Sequence, residues 1–358
     1  MNKNLRKRLN QIIIAGMMVT SSVMPVFAET IKVPSKPSYT HKQFIGKTRY
    51  ETGVLTAKEA NKKNIIVVNG ATEKMVDGLC ASALVDKFDA TVLPIDPNKV
   101  NSDAKKIIDN AENVYVIGLE SAIPESFVKT IPSSVKVTRI GGNDRFETSK
   151  EIAKYLGSYD KAFLVNGLTG QADAMSMASV SAKYKAPILL TKKSSTIFDK
   201  KADIKYFVIG GTNAISNSIE SAFSANRIAG ATRYETNRQV LKTFYSKSTK
   251  RYFTNGETLI DALSGASLSK YNGITFINKN KNLDLLKDMD TIQIGGLPFK
   301  LEFTDKEDTN KPDTNKPSKP NDDSNDDGIF DGVIDHNGEE NEEINGEMSD
   351  DDTQVGIM

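Results

Sequence analysis

Arg139-Ile-Gly-Gly-Asn-Asp-Arg-Phe-Glu-Thr148 is one of three versions of the same stretch in this chain. The first is Phe44-Ile-Gly-Lys-Thr-Arg-Tyr-Glu-Thr52 and the third is Arg227-Ile-Ala-Gly-Ala-Thr-Arg-Tyr-Glu-Thr236. Their arginines, Arg49, Arg145 and Arg233, lie 96 and 88 residues apart. Self-similarity at such a period decides the fold before any single element is assigned. Other landmarks keep step. Asn69-Gly70, Asn166-Gly167 and Asn255-Gly256 each close an apolar run, Asp77, Asp173 and Asp261 follow, and later runs end at Gly118, Gly210 and Gly295.

Locally the motif reads as a helix start. Thr48-x-x-Glu51, Asp144-x-x-Glu147 and Thr232-x-x-Glu235 have capping-box spacing, in which the first side chain accepts from an N3 amide and the glutamate reaches back. Glycines just before supply a permissive turn. Capping does not need Arg49, Arg145 or Arg233, and a guanidinium there is read equally well as an internal strut or as an anion contact.

Around each motif, short continuous apolar runs alternate with helical patterns. In the first repeat Ile65–Val68, Ala90–Ile95 and Val114–Ile117 read as buried strands, with helices expected over Met75–Phe88, Ala104–Asn110 and Glu125–Ile131. In the second, Ala162–Val165, Pro187–Leu190 and Tyr206–Ile209 are the matching strands. Such alternation indicates parallel sheets covered on both faces. The expected fold is α/β: three tandem Rossmann-like modules packed as a pseudo-threefold ring. The spacing sets the modules at 44–138, 139–226 and 227–301. The third is short, because only Leu297-Pro-Phe-Lys-Leu301 follows its last Gly-Gly. Either it is smaller or another part of the chain covers its edge, and the segment Lys42–Gly46 is the candidate.

The ends differ in kind. Residues 1–28 have the layout of a secretory signal: Lys3, Arg6, Lys7 and Arg8, an apolar core from Ile12 to Val23, and Val26-Phe-Ala28 at the cleavage site. That core is short for a membrane span, so no span is expected after its removal, and 29–43 is expected to be a leader. The whole chain has a formal net charge of +1, which hides a division. Residues 29–301 carry 39 Lys+Arg against 27 Asp+Glu, while 302–358 carry 4 against 19. The terminal region opens as a Lys-Pro linker and continues as an acidic, low-complexity run expected to be disordered. Within it Asp323, Asn325, Asp327 and Asp331, with Gly328 at the sixth place, are spaced as in a calcium loop, but the twelfth place holds Ile334 rather than Glu. A calcium site and a solvated acidic run are both open; no other cofactor is expected.

Composition argues against catalysis in the modules. The two histidines are His41 and His336, both outside the repeats, so imidazole-based triads and histidine zinc sites have no ligand to use there. No glycine fingerprint for dinucleotides follows a strand, and Asp77, Asp173 and Asp261 read as acids near helix entries. The single cysteine, Cys80, sits in an apolar stretch and is expected to be a buried thiol without disulfide.

Taken together, the Gly-x-x-Arg-Tyr/Phe-Glu-Thr start, the Asn-Gly turn, Asp261-Ala-Leu-Ser264 and its counterparts, and the late Ile-Gly-Gly resemble the clostridial cell wall-binding repeat 2 family, over about 44–301 in three copies. The resemblance implies a non-catalytic, secreted surface protein held non-covalently to an anionic wall polysaccharide, with S-layer proteins as further partners and no nucleic acid. It also implies polymer contact at a Pro-Ile-Leu-Leu strand, here Pro187, Ile188, Leu189 and Leu190; Arg49, Arg145 and Arg233 are the other candidate polymer contacts, read from their side chains. The other repeats depart from that strand, with Thr91–Pro94 and Ile274–Ile277 taken as the matching positions. A wall hydrolase or its modulator, and a calcium-dependent adhesin acting through the tail, are the alternative readings.

Overall fold

The computed structural model describes residues 29–71 and 75–304. The signal segment, most of the linker, the acidic tail and the candidate calcium loop lie outside the described residues.

The chain opens with β1 (Thr30–Pro34) and β2 (His41–Phe44). The first module supplies β3 (Asn64–Asn69), β4 (Ala90–Ile95), β5 (Asn113–Ile117) and β6 (Lys136–Ile140). The second supplies β7 (Lys161–Asn166), β8 (Ile188–Thr191), β9 (Lys205–Ile209) and β10 (Asn226–Ile228). The third supplies β11 (Lys250–Asn255), β12 (Ile274–Ile277) and β13 (Asp290–Ile294), and β14 (Lys300–Thr304) follows. All ladders are parallel. The sheet orders are β4-β3-β5-β6, β8-β7-β9-β10 and β12-β11-β13-β2.

Sheet membership therefore does not follow the repeat boundaries. The strand that opens each motif closes the sheet of the module before it, and the first copy closes the last sheet. β2 pairs with β13 from His41↔Thr291 to Phe44↔Ile294, so residues from the presumed leader fill the open edge of the third module and join the chain's beginning to its end. Thr30–Pro34, expected to be part of that leader, is also a strand: it pairs in parallel with β14 from Thr30↔Lys300 to Pro34↔Thr304. The reason is a shortage of cover. The outer faces of the first two sheets are packed by segments such as Ser102–Asp109 and Asn217–Phe223. On the third, Val33 from the two-stranded ribbon joins Phe253, Ile277, Leu286 and Phe299 in a buried cluster. The His41 ring stacks on Phe303, 3.6 Å between centroids.

The three long helices, Arg49–Ala60, Arg145–Leu156 and Arg233–Phe244, start at the motifs. Each packs on the second helical segment of the preceding module, with the first packing on the third, so the ring is closed. The second segments meet at the centre and are not regular helices. Met75–Ala83 is 3₁₀ before a short α-turn at Leu84–Lys87, and the other two break at Met177 and Gly265. The helix expected over Met75–Phe88 is replaced in this way where the segments of the three modules pack on one another, and small residues there, Ala81, Ser82, Ala83, Ser176, Ser179, Ser264 and Ala266, are essentially buried. Cross-module hydrogen bonds replace apolar contact there, as between Ser179 Oγ and Ser269 Oγ (2.6 Å). Leu79, Leu84, Met175, Val180, Leu263 and Phe276, drawn from all three modules, share one core. Cys80 lies in it, and burial pushes its thiol pKa well up, which keeps it unreactive.

Candidate binding site

The motif turn is built as the spacing predicts, with one difference. The Thr48, Asp144 and Thr232 side chains accept from the amides of Glu51, Glu147 and Glu235. Glu51 and Glu147 reach back one residue further than a capping box does, to Lys47 N and Asn143 N. The motif threonine supplies a third bond: Thr52, Thr148 and Thr236 Oγ1 each accept from Gly46, Gly142 or Gly230 N at 3.1 Å. A Cβ on any of these glycines would run into the motif glutamate, so the close turn excludes every other residue.

Each motif arginine holds the Asn-Gly turn of its own module. Nη1 donates to Gly70 O from Arg49 (3.0 Å), to Gly167 O from Arg145 (2.8 Å) and to Gly256 O from Arg233 (3.1 Å). The asparagines fix the same turns: Asn69 and Asn166 donate to Ala122 O and Ala214 O, and their Oδ1 atoms accept from amides two residues on. The arginines are partly exposed and stand at the carboxyl ends of the strands, the edge where parallel α/β sheets present their ligand crevices.

The same arginines face the aspartate of the preceding module. Arg233 acts on Asp173 and Arg49 on Asp261, each favouring the charged carboxylate. Burial opposes them and wins, pushing Asp173 up to about 6 and Asp261 up to about 7. These aspartates lie beneath the late glycines. Gly210 (φ 108°) and Gly295 (φ 80°) leave no room for a Cβ over the carboxylates of Asp173 and Asp261, and Gly118 (φ 93°) lies over Asp77 in the first module. Asp261 Oδ1 is buried without a hydrogen-bond donor among the described residues. At the junction of the second and third modules the result is a cleft of about 430 Å³ between Asp173, the loop Gly211–Ala214 and the turn Gly230–Arg233. The helix-entry role read for these aspartates thus misses their second function as walls of a junction. That function is invisible in one repeat, because the facing arginine belongs to the next.

Pro187–Leu190 is placed differently. Its side chains are buried, Leu189 and Leu190 at 2% and 1% exposure, in an edge strand packed under the helix Arg145–Leu156. The strand register also corrects the matching of repeats. Thr191, Ile95 and Ile277 share one position opposite Asn166, Asn69 and Asn255. The counterpart of Pro187–Leu190 in the third module is therefore Gly273–Phe276, one residue earlier than the expected Ile274–Ile277. Gly273, at φ 75°, stands where Pro187 does.

The buried junction carboxylates make stability depend on pH. A carboxyl whose folded pKa lies above its unfolded value favours folding while protonated. The gain is complete below the unfolded pKa of about 4 and is lost as pH rises through the folded pKa. For Asp261 that window runs from about pH 4 to about 7, and the loss amounts to a few kcal/mol. Asp261→Asn should therefore melt higher than the parent at pH 8 and at the same temperature below pH 4. A lower melting temperature at pH 8 would show that the Arg49 attraction outweighs burial.

These features define a class: a repeated α/β module with a cleft at a module junction, at the strands' carboxyl ends. The model of cell wall binding domain 2 (CWB2) matches residues 44–128, 139–220 and 227–297, and the chain belongs to that family. The chain is 33% identical over 248 residues to the amidase enhancer of Bacillus subtilis (strain 168), matching 66% of this chain and 35% of that protein. It is 28% identical over 236 residues to the N-acetylmuramoyl-L-alanine amidase LytC of the same organism, matching 63% of this chain and 47% of that one. The match thus spans a third to a half of those relatives. Among solved structures it resembles Cwp6 and Cwp8 from Clostridium difficile, each with TM-score 0.63, at 26% and 28% identity. These matches cover 72% of this chain and 46% and 49% of those chains. The repeats are cell wall-binding domains, which associates the chain with the wall.

Proposed function

We propose that the chain is a secreted, non-catalytic protein held on an anionic cell wall polysaccharide by its three modules. The observation that carries this reading is the repeated arginine. Arg145 has one hydrogen-bond partner among the described residues, Gly167 O, while a guanidinium has five donors. One N–H fixes the turn and the side chain is only half-buried, so the strut and the anion contact are compatible roles of one side chain. The basic balance of residues 29–301 would concentrate a polyanion around the modules. S-layer proteins remain proposed partners. Pro187–Leu190 would act by holding the Arg145 helix, and calcium in the tail is a separate proposal that the carboxylate spacing alone supports. The amidase enhancer relative favours one second reading, modulation of a wall hydrolase.

Exposed ion pairs contribute only about 0–1 kcal/mol each, so adhesion should be cooperative and salt-sensitive. Sedimentation with purified walls should weaken from 0.1 M to 1 M salt as the screening length falls from about 10 Å to about 3 Å. Acid that protonates the polymer's anionic groups should release the protein. Arg145→Ala should lower wall affinity severalfold, while the lost Gly167 bond costs about 1 kcal/mol of stability. Undiminished binding to walls stripped of anionic polymer would reject the assignment.

A further inference from the structure

The outer face of the second module carries a groove that its sister modules have closed. In the first module the helix Ser102–Asp109 lies against the long motif helix: Ala104 and Ile108 are buried with Val54, Ala57 and Leu93, and Lys58 pairs with Asp103. The equivalent positions of the second module are Lys150, Ala153 and Leu189. There the connection from β8 to β9 contains no helix, and those residues line an open groove of about 400 Å³. A buried valine in one repeat is an exposed lysine in the next.

The third module shows what a cation at that position holds. Arg238 stands where Lys150 does, and it binds the Asp284 carboxylate through two nitrogens at 2.8 and 2.6 Å. That carboxylate comes from the module's own crossover segment. In the second module the cation is present, but Lys150 has no ion-pair partner among the described residues. Lys201 joins it around the groove, as does Lys154, whose ammonium pairs with Glu151 (2.5 Å); the lining holds one carboxylate, Asp199. The floor is aromatic. Tyr206 is buried and its hydroxyl accepts from Lys201 N (2.9 Å), while half-buried Tyr159 and Phe198 stand beside it. The Lys201 ammonium lies 5.5 Å from the Tyr159 ring centre.

We propose that this groove is a separate binding site for a sugar unit bearing one anionic group, phosphate or carboxylate. The anion takes the place that Asp284 occupies beside Arg238, held by Lys150 with Lys201. The sugar's apolar face lies on Tyr159 and Phe198, the combination of an aromatic wall and a few directed polar groups that small ligands require. The choice of a sugar rests on the wall-polysaccharide reading; the anionic preference rests on the groove alone.

The test is amide chemical-shift mapping and titration on the full chain with glucose 6-phosphate, glucuronate, glucose and inorganic phosphate. Glucose 6-phosphate and glucuronate should shift residues 150–159 and 197–206, at least tenfold more tightly than glucose or inorganic phosphate. Lys150→Glu should weaken both at least tenfold and Lys150→Arg should retain them, with unchanged melting temperatures, because the side chain is exposed. Shifts elsewhere, equal binding of glucose, or indifference to Lys150→Glu would overturn the site. Wall sedimentation run in parallel keeps the two readings apart. Walls that hold the chain while the sugars leave the groove undisturbed reject this inference alone. Sugars bound in the groove of a chain that ignores walls support it and reject the wall reading.

Discussion

A chain ending at residue 226 should lose cooperative folding altogether, although it keeps two complete repeat sequences. Removing the third module strips β13 from β2 and exposes the helix Arg49–Ala60, which packs on Ile260–Ser264. It also opens the central core to which Leu263, Ile274 and Phe276 contribute. Burying a large apolar side chain contributes about 1.5–3 kcal/mol, and total stability of a domain is only about 5–15 kcal/mol, so a few such losses suffice. The whole chain should melt in one transition by calorimetry. The fragment should show a broad change and bind a hydrophobic dye. A sharp transition in the fragment near the parent temperature would mean that the modules are independent beads.

The second large effect is expected at Asn237. Each module's edge strand must satisfy a backbone group under the long helix, at the position of Pro94, Leu190 and Phe276, and the three solve it differently. In the first, Pro94 has no N–H and faces Gly53, where a Cβ would clash with the proline ring. In the second, Leu190 N donates to Ser149 Oγ at 3.1 Å. In the third, Phe276 N donates to Asn237 Oδ1 (2.9 Å) while Asn237 Nδ2 donates to Ile274 O (3.0 Å). Gly53, Ser149 and Asn237 occupy one position of the repeat. Asn237 is fully buried, so Asn237→Ala strands a donor and an acceptor away from water, at about 1–3 kcal/mol each. Denaturation should show a loss of about 2–5 kcal/mol, with Ser149→Ala costing roughly half as much because one group is orphaned. Equal small losses from both would mean that water replaces the side chains. The same logic predicts that Gly53→Ser is tolerated only with Pro94→Leu, which recreates the second module's pair.

Much of this architecture is written locally. Motif spacing, capping residues and apolar runs set three parallel α/β modules and their helix starts, because those signals depend on neighbours within a turn or a strand. The shortened third module even points to Lys42–Gly46 as its missing edge, since an unpaired parallel edge needs a partner, and the strand that forms there is His41–Phe44. The irregular central segments were not legible: their apolar, small-residue sequence fits a helix, and only the convergence of three copies at one axis breaks them. Nor was the Thr30–Pro34 strand, whose partner lies 270 residues away at Lys300–Thr304 and whose composition reads as linker.

The sequence by itself determined the repeat, the sheet type, the basic body and the resemblance to a wall-binding family, because each follows from spacing, periodicity or summed charge. Tertiary structure alone decided which arginine meets which aspartate, and that the Lys150 face is left open while its counterparts are filled. These are relations between modules, or between a helix and a crossover segment far along the chain. No local pattern encodes them, because the free energy that fixes them comes from burial shared across the closed ring.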